Sequence, residues 1–384
     1  MTNTAILAAA RRIASDMSLQ QRLAQQYDAK GVAATLAASG LEADWRAELE
    51  RTISLADAPP IWERSDAPPE QWLPVQLYRD ERGLRLEWHH FAFSPLTEPF
   101  FDHSIAKARA HPMNLILRCS TPLDAVLPLA NLGDPDGLIF HVSRCGSTLV
   151  GQMLRQLEGS VVIAEAPALD PVIGLHLAGE LSGDHVRGLA GALMRDRTGT
   201  TRRRFLKLDA WHALAMGRIC NIFPGVPTVF LFRDPIEVLV SQQRRPGLHV
   251  RRGAVDLEGF GLTGSFRIRD EDFPAWVIAA IMRGGLAQAQ REGLLLCDYA
   301  DLPDAFTSRI LPQFAIAPTH AEISRMHAVS SRHSKDERLL FETDAANKQA
   351  SADADLRARA DAQGLPELYA ALSQIAGLTA RSPR

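Results

Sequence analysis

An α/β protein built on a parallel sheet is what this sequence predicts, and three observations carry that expectation. Beyond Asp136, short apolar runs alternate with amphipathic helical stretches; the runs are mostly apolar on both alternate faces; and Ser143-Arg144-Cys145-Gly146-Ser147-Thr148 stands directly after the first, Arg233-Asp234-Pro235 after the fourth. The runs are Leu138–Val142, Val161–Ala164, Phe205–Leu208, Thr228–Phe232 and Leu294–Cys297. A strand buried on both faces loses the alternation of a half-exposed one, which is the pattern of a parallel sheet covered by helices. Between the first two runs, Leu149, Val150, Met153, Leu154 and Leu157 recur at helical spacing. In such sheets ligands bind at the carboxyl ends of strands, so the residues just after each run carry the functional information.

Residues 1–130 are expected to form an N-terminal accessory domain, helical and then mixed α+β. The first 56 residues are Ala-rich and read as helices, and Ala58-Pro59-Pro60 and Ala67-Pro68-Pro69 interrupt them. From Trp72 to about Ala130, aromatic residues mix with strand-like pieces such as Leu115-Ile116-Leu117. His89, His90, Asp102 and His103 match no metal-ligand spacing and read as structural. Residues 137–350 are expected to form the α/β domain, with 351–384 a C-terminal helical tail.

Composition narrows the class. With 384 residues, 46% hydrophobic and 23% charged, the chain is long enough for two or three domains and too apolar for disorder. Forty-two Lys+Arg nearly balance 45 Asp+Glu, so neither nucleic acid nor a membrane is expected as partner. The balance is uneven, however. Residues 1–130 hold 13 basic and 16 acidic side chains, whereas 141–252 hold 15 and 9, which favours a local anionic ligand in the middle of the chain. Cys119, Cys145, Cys220 and Cys297 are far apart without a C-x-x-C pair, as suits a reducing compartment. The apolar run Ala5–Ala10 is short for a signal core, with Arg11 and Arg12 following it, and no stretch approaches the roughly 20 apolar residues of a membrane span. A cytoplasmic location is the expectation; oligomeric state is not legible.

After the first strand comes Ser143-Arg144-Cys145-Gly146-Ser147-Thr148, leading straight into a helix. A helix N-terminus offers free amides and a positive dipole end, the chemistry a phosphate or sulfate needs. Gly146 admits close backbone approach, and Arg144 adds a cation. An ordinary turn capped by Ser147 or Thr148 would account for the same residues. A Walker A loop would need different spacing and a Lys, so ATP chemistry gains no support. After the fourth strand, Asp234, Pro235 and Glu237 make a well-formed helix start, which leaves Arg233 and Ser241 unexplained.

Together the two stretches resemble the nucleotide-binding motifs of the PAPS-dependent sulfotransferase superfamily, in its bacterial and Golgi-type branch. Ser143–Thr148 is similar to that family's 5′-phosphosulfate loop, with Cys145 unusual, and Arg233 with Ser241 resembles its 3′-phosphate motif. Asp298-Tyr299-Ala300-Asp301-Leu302 is similar to a Y-E-D-L segment of the same branch. The resemblance covers roughly residues 137–350 and implies a P-loop-like parallel sheet flanked by helices. It further implies transfer of a sulfuryl group from 3′-phosphoadenosine 5′-phosphosulfate (PAPS) to an acceptor hydroxyl or amine, with no metal required. Arg144, Cys145, Gly146, Ser147 and Thr148 would hold the 5′-phosphosulfate, and Arg233 and Ser241 the 3′-phosphate. Ser334 and Lys335 fall where the family has a late loop over that phosphate, without its R-K-G triplet.

The same resemblance assigns a base. Glu165 is the favoured proton acceptor, Lys207 its electrostatic assistant and Asp209 the substitute; Glu165 as a helix cap, or Lys207 paired with Asp209, would be the structural alternatives. Arg202-Arg203-Arg204 precedes a strand at the far end and reads as a solvated edge. The acceptor, small or macromolecular, is not legible. A non-catalytic adenosine-bisphosphate-binding module and a nucleotide-dependent small-molecule kinase are the other readings.

Overall fold

The computed structural model describes residues 4–41, 43–45, 47–48, 61–92, 95–330, 332–333, 336–340 and 345–381. By internal contact the chain divides into two units, one of residues 1–133, 166–172 and 182–201, the other of 134–165, 173–181 and 202–384.

The first unit opens with helices α1 (Thr4–Ser15), α2 (Met17–Ala24) and α3 (Ala29–Ala37). Ile6, Ala9, Ala10 and Ile13 recur at helical spacing and are all buried, so α1 packs one apolar stripe inward. Asp16 and Asp28 end the chain's extended entries into α2 and α3 by accepting from Leu19 N–H and Gly31 N–H, at 3.0 and 2.7 Å. Strands β1 (Ile61–Glu63), β2 (Trp72–Asp80), β3 (Gly83–His90) and β4 (Arg118–Pro122) form a sheet in the order β1-β4-β3-β2, with β1 and β4 parallel and the other pairs antiparallel. The expected strand-like piece at Leu115–Leu117 is corrected here. Helix α4 (Phe101–Ala110) is followed by α5 (Pro112–Ile116), where Pro112 sits in the first turn and His111 Nδ1 accepts from Met113 N–H, so the strand begins only at Arg118.

The core of this sheet holds Trp72 and Trp88 fully buried, and Arg195 beside them. Arg195 donates to Pro68 O and Trp72 O, both at 2.7 Å, and stacks over the Trp88 ring at 5.1 Å. Burial lowers its pKa to about 10, which still leaves it charged. The four residues weighed for metal binding do not converge on one another as a set of four, Asp102 and His103 pairing with each other. His89 Nε2 pairs with Glu87 at 2.7 Å, His90 Nδ1 accepts from Ala92 N–H, and Asp102 and His103 are exposed on α4.

Burial, then the charges of His111 and Arg197, hold His90 down at about 3 against an ordinary 6.5. The folded state keeps this ring neutral while the unfolded chain protonates it below 6.5. Its contribution is therefore complete above pH 6.5 and lost as pH falls from there toward 3, at about 1.4 kcal/mol per pH unit. Urea midpoints followed downward from neutral pH should fall with that added slope. His90→Asn, whose Oδ1 can accept from Ala92 N–H without titrating, should remove it; an unchanged slope would show that His90 does not contribute.

In the second unit, β5 (Gly137–His141), β6 (Ser160–Ala164), β7 (Arg203–Lys207), β8 (Thr228–Phe232) and β9 (Leu294–Asp298) form a five-stranded, all-parallel sheet in the order β6-β7-β5-β8-β9. All five fall within about two residues of the apolar runs that predicted them, and β5, β8 and β9 are buried along their whole lengths. Helices flank the sheet, among them α6 (Ser147–Leu154), α7 (Pro235–Arg244), α8 (Phe273–Ala287) and α9 (Leu365–Arg381). Within 351–384, the described residues are chiefly helices 354–362 and 365–381, and α9 packs on β9 and α8. Gly285 of α8 admits the Phe230 ring so closely that a Cβ there would stand 2.3 Å from it. Arg202 pairs with Glu158 at 3.3 Å, both more than two-thirds exposed, at the amino end of the sheet.

Strand order locates the switch point. From β5 the chain crosses over β7 to β6, and from β8 it crosses the other way to β9. Between β5 and β8 the connections diverge, and in open parallel sheets the carboxyl ends of the strands at such a point are where ligands bind. No helix among the described residues is long and apolar enough to cross a membrane.

Candidate functional site

The loop leaving β5 turns sharply. Ser143, Arg144 and Gly146 have φ of 66°, 54° and 81°, left-handed values that non-glycine residues adopt only when surroundings hold them. The holding contacts come from α7 and the residues flanking it: Gln242 Nε2 donates to Ser143 Oγ at 3.3 Å, Arg233 Nη1 donates to Arg144 O at 3.4 Å, and Arg144 in turn donates to Arg245 O. Gly146 is required twice over, by its φ and because a Cβ would stand 2.8 Å from the Tyr299 ring. Helix α6 then starts on Gly146, without a hydrogen bond to a capping side chain. Ser147 and Thr148 are buried at this start. Cys145 is fully buried and burial pushes its thiol up to about 11, so it serves as a small apolar filler and offers the site only its backbone.

Helix α7 starts as its sequence predicts. Asp234 accepts from Ile236 N–H and Glu237 N–H at 2.8 and 3.3 Å, with Pro235 in the first turn. One turn on, Glu237 receives the Arg233 guanidinium through Nε at 2.6 Å and through Nη2, and the Tyr299 ring covers the guanidinium at 3.9 Å. Arg233 is only 4% exposed. Ser241 Oγ donates to Glu237 O at 2.7 Å, which leaves its oxygen lone pairs as acceptors. The loop after β5 and the start of α7 are therefore side by side at the switch point. Tyr299, in the turn after β9, completes the wall.

On the other side of β5 lies a second cluster. Glu165, directly after β6 with φ 55°, donates its N–H to Lys207 O at 2.9 Å, and its carboxylate pairs with the Lys207 ammonium. His141 Nδ1 accepts from Ser143 N–H at 3.0 Å, which places its proton on Nε2, 3.3 Å from Glu165 Oε1. Burial alone would raise the Glu165 pKa; the Lys207 charge and then His141 outweigh it and hold the carboxyl well below its ordinary range. Lys207 is 1% exposed and Glu165 side chain 23%, so the acid faces outward from the pair. Asp209 stands apart from this pair in function. It begins the 3-10 turn Ala210–Ala215 with a capping box, accepting from His212 N–H while His212 Nδ1 accepts from Asp209 N–H at 3.1 Å.

Of the residues singled out in the sequence, Arg144 and Arg233 are bonded to one another, Ser241 lies further along α7, and Glu165 with Lys207 forms an ion pair on the other side of β5. Asp209 is employed as a cap, and Ser334 and Lys335 lie outside the described residues. Sequence reasoning missed three members. Tyr299 was noted only within its segment, although its ring bears on both Arg233 and Gly146. His141 ends a strand whose apolar run hides it. His249 lies in a short turn with no motif at all. No family model matches the chain, and no curated protein resembles it at a significant level.

Proposed function

We propose that the second unit is a PAPS-dependent sulfotransferase with a P-loop-like sheet, moving a sulfuryl group to an acceptor hydroxyl or amine by in-line displacement. The observation that carries the reading is the bond from Arg233 to Arg144 O, which joins two anion-directed elements at one switch point. In this reading the first amides of α6, with Arg144, hold the 5′-phosphosulfate. Arg233 and Ser241 hold the 3′-phosphate, Ser241 turning its hydroxyl from Glu237 O to donate to it, with the adenosine between. Such a transfer asks the protein chiefly for positioning and charge, since the sulfuryl group passes directly from the donor's phosphate oxygen to the acceptor oxygen or nitrogen.

Glu165 takes the acceptor's proton. In the protein alone its basicity is low, because Lys207 sits on it; the anionic donor draws Lys207 toward the departing phosphate oxygen, and the freed carboxylate becomes a stronger base. The mutual neutralisation of Glu165 and Lys207 also favours a second reading, a module that binds adenosine bisphosphate without turnover. Calorimetry with adenosine 3′,5′-bisphosphate, ADP and ATP tests the binding common to both. The bisphosphate should bind at least about tenfold tighter than either of the others, since only it presents a 3′-phosphate to Arg233. Equal or tighter binding of ATP would point to a kinase instead. Transfer of radiolabelled sulfate from PAPS across a panel of acceptors then separates enzyme from binder.

A further inference from the structure

His249 occupies the 3-10 turn Leu248–Val250 that follows α7. It is 3% exposed, and its Nε2 has no hydrogen-bond partner. The turn is not loose. Gly247 N–H donates to Gln242 Oε1 at 2.8 Å while Gln242 Nε2 reaches Ser143 Oγ, so one side chain ties the turn to the loop after β5. A Cβ at Gly247 would stand 2.9 Å from the His249 ring, and the Trp211 ring lies 6.1 Å away on another side. The charges that act on His249 are His141 from β5, Glu165 from the end of β6, and Arg144 from the loop.

A buried polar atom without a partner is costly, and proteins keep one where a ligand or water completes it. Here it lies among groups at the carboxyl ends of the strands, in a turn that Gln242 ties to the loop after β5. We propose that His249 is an oxyanion-binding residue of this site: its Nε2–H donates to a sulfate or phosphate oxygen held at the loop from Arg144 to Thr148, and the imidazole takes up a proton from solvent as the anion arrives. Burial, with His141 and the Arg144 cation nearby, keeps the ring neutral in the protein alone, at about 3. A dianion beside it reverses that balance. The inference deepens the sulfotransferase reading, and rests on it for the donor's identity but not for the oxyanion.

Inorganic sulfate is the probe, because it stays a dianion across the working range. The unaltered protein should bind sulfate roughly tenfold tighter at about pH 5.5 than at about pH 8, and calorimetry in buffers of different ionisation heat should show up to one proton taken up per sulfate. His249→Gln should lose both the slope and the uptake. In the unaltered protein, the His249 ring resonances should move to the imidazolium position as sulfate is added, a readout that needs no variant. Retention of slope and uptake in His249→Gln, resonances unmoved by sulfate, or no sulfate binding at all would overturn the proposal. Failure of the wider reading looks different: sulfate binding that depends on His249, together with adenosine 3′,5′-bisphosphate binding no tighter than ADP, keeps the oxyanion role and removes the sulfotransferase.

Discussion

Arg233→Ala should weaken adenosine 3′,5′-bisphosphate binding by about a hundredfold or more and destabilise the second unit as well. The guanidinium carries the 3′-phosphate contact in the proposed site, and losing two charge-assisted hydrogen bonds costs about 3 kcal/mol or more. The same side chain is buried against Glu237 and Tyr299 and donates to Arg144 O. Removing it leaves Glu237, itself 8% exposed, without its counter-charge, at about 3–5 kcal/mol. Loss of fold and loss of ligand must therefore be read apart. The double variant Arg233→Gln, Glu237→Gln removes both charges together and should recover most of the stability, because a buried pair replaced as a pair is close to neutral. Its bisphosphate affinity should stay as low as that of Arg233→Ala. Recovery of affinity along with stability would mean that Arg233 only holds the loop.

The second large effect is expected at Glu165. Glu165→Gln should lower turnover by about 10²–10⁴-fold while leaving bisphosphate affinity within a few-fold, since a base acts on the acceptor and not on the nucleotide. Stability should also fall by about 3–5 kcal/mol, because the Lys207 ammonium is buried opposite that carboxylate. The sign with pH follows from the depressed carboxyl: the pair's contribution is present above the ordinary carboxylate value of 4.5 and is lost as pH falls below it. Acid unfolding curves of Glu165→Gln should be flatter in that window. Asp209→Ala is the comparison, and uncapping the turn at Ala210–Ala215 should cost about 1 kcal/mol without removing the pair. Turnover that survives in Glu165→Gln but fails in Asp209→Ala would transfer the role of base to Asp209.

The legible and illegible parts of this molecule differ for physical reasons. Five strands could be placed because a doubly buried parallel strand is apolar at nearly every position, as in Val229–Phe232. The apolar run at Leu115–Leu117 misled for the same reason: three apolar residues fit a buried helix end as well as a strand, and the Pro112 start decided it. The loop after β5 and Arg233 could be found because function concentrates just past strands, and capping chemistry left Arg233 unexplained. The sequence also placed Glu165 after the second strand and Lys207 in the third, but which acid Lys207 would pair with depended on β6–β7 pairing and register, where Ala164 lies opposite Lys207. Tyr299 and His249 were out of reach because nothing local marks them. Their roles come from rings packed against residues more than a hundred positions away along the chain in the case of Gly146 and Tyr299, and from the brace of Gln242 in the case of His249. Likewise, nothing local tells that residues 166–172 and 182–201 belong by contact with the N-terminal unit.

Diffraction from crystals grown with adenosine 3′,5′-bisphosphate tests the central claim most directly. The account predicts its 5′-phosphate on the amides of Gly146 to Thr148 and its 3′-phosphate on Arg233 and Ser241, at the carboxyl ends of β5 and β8. Density for the nucleotide in any other place on the chain, or at those strand ends with neither phosphate on those residues, would contradict it.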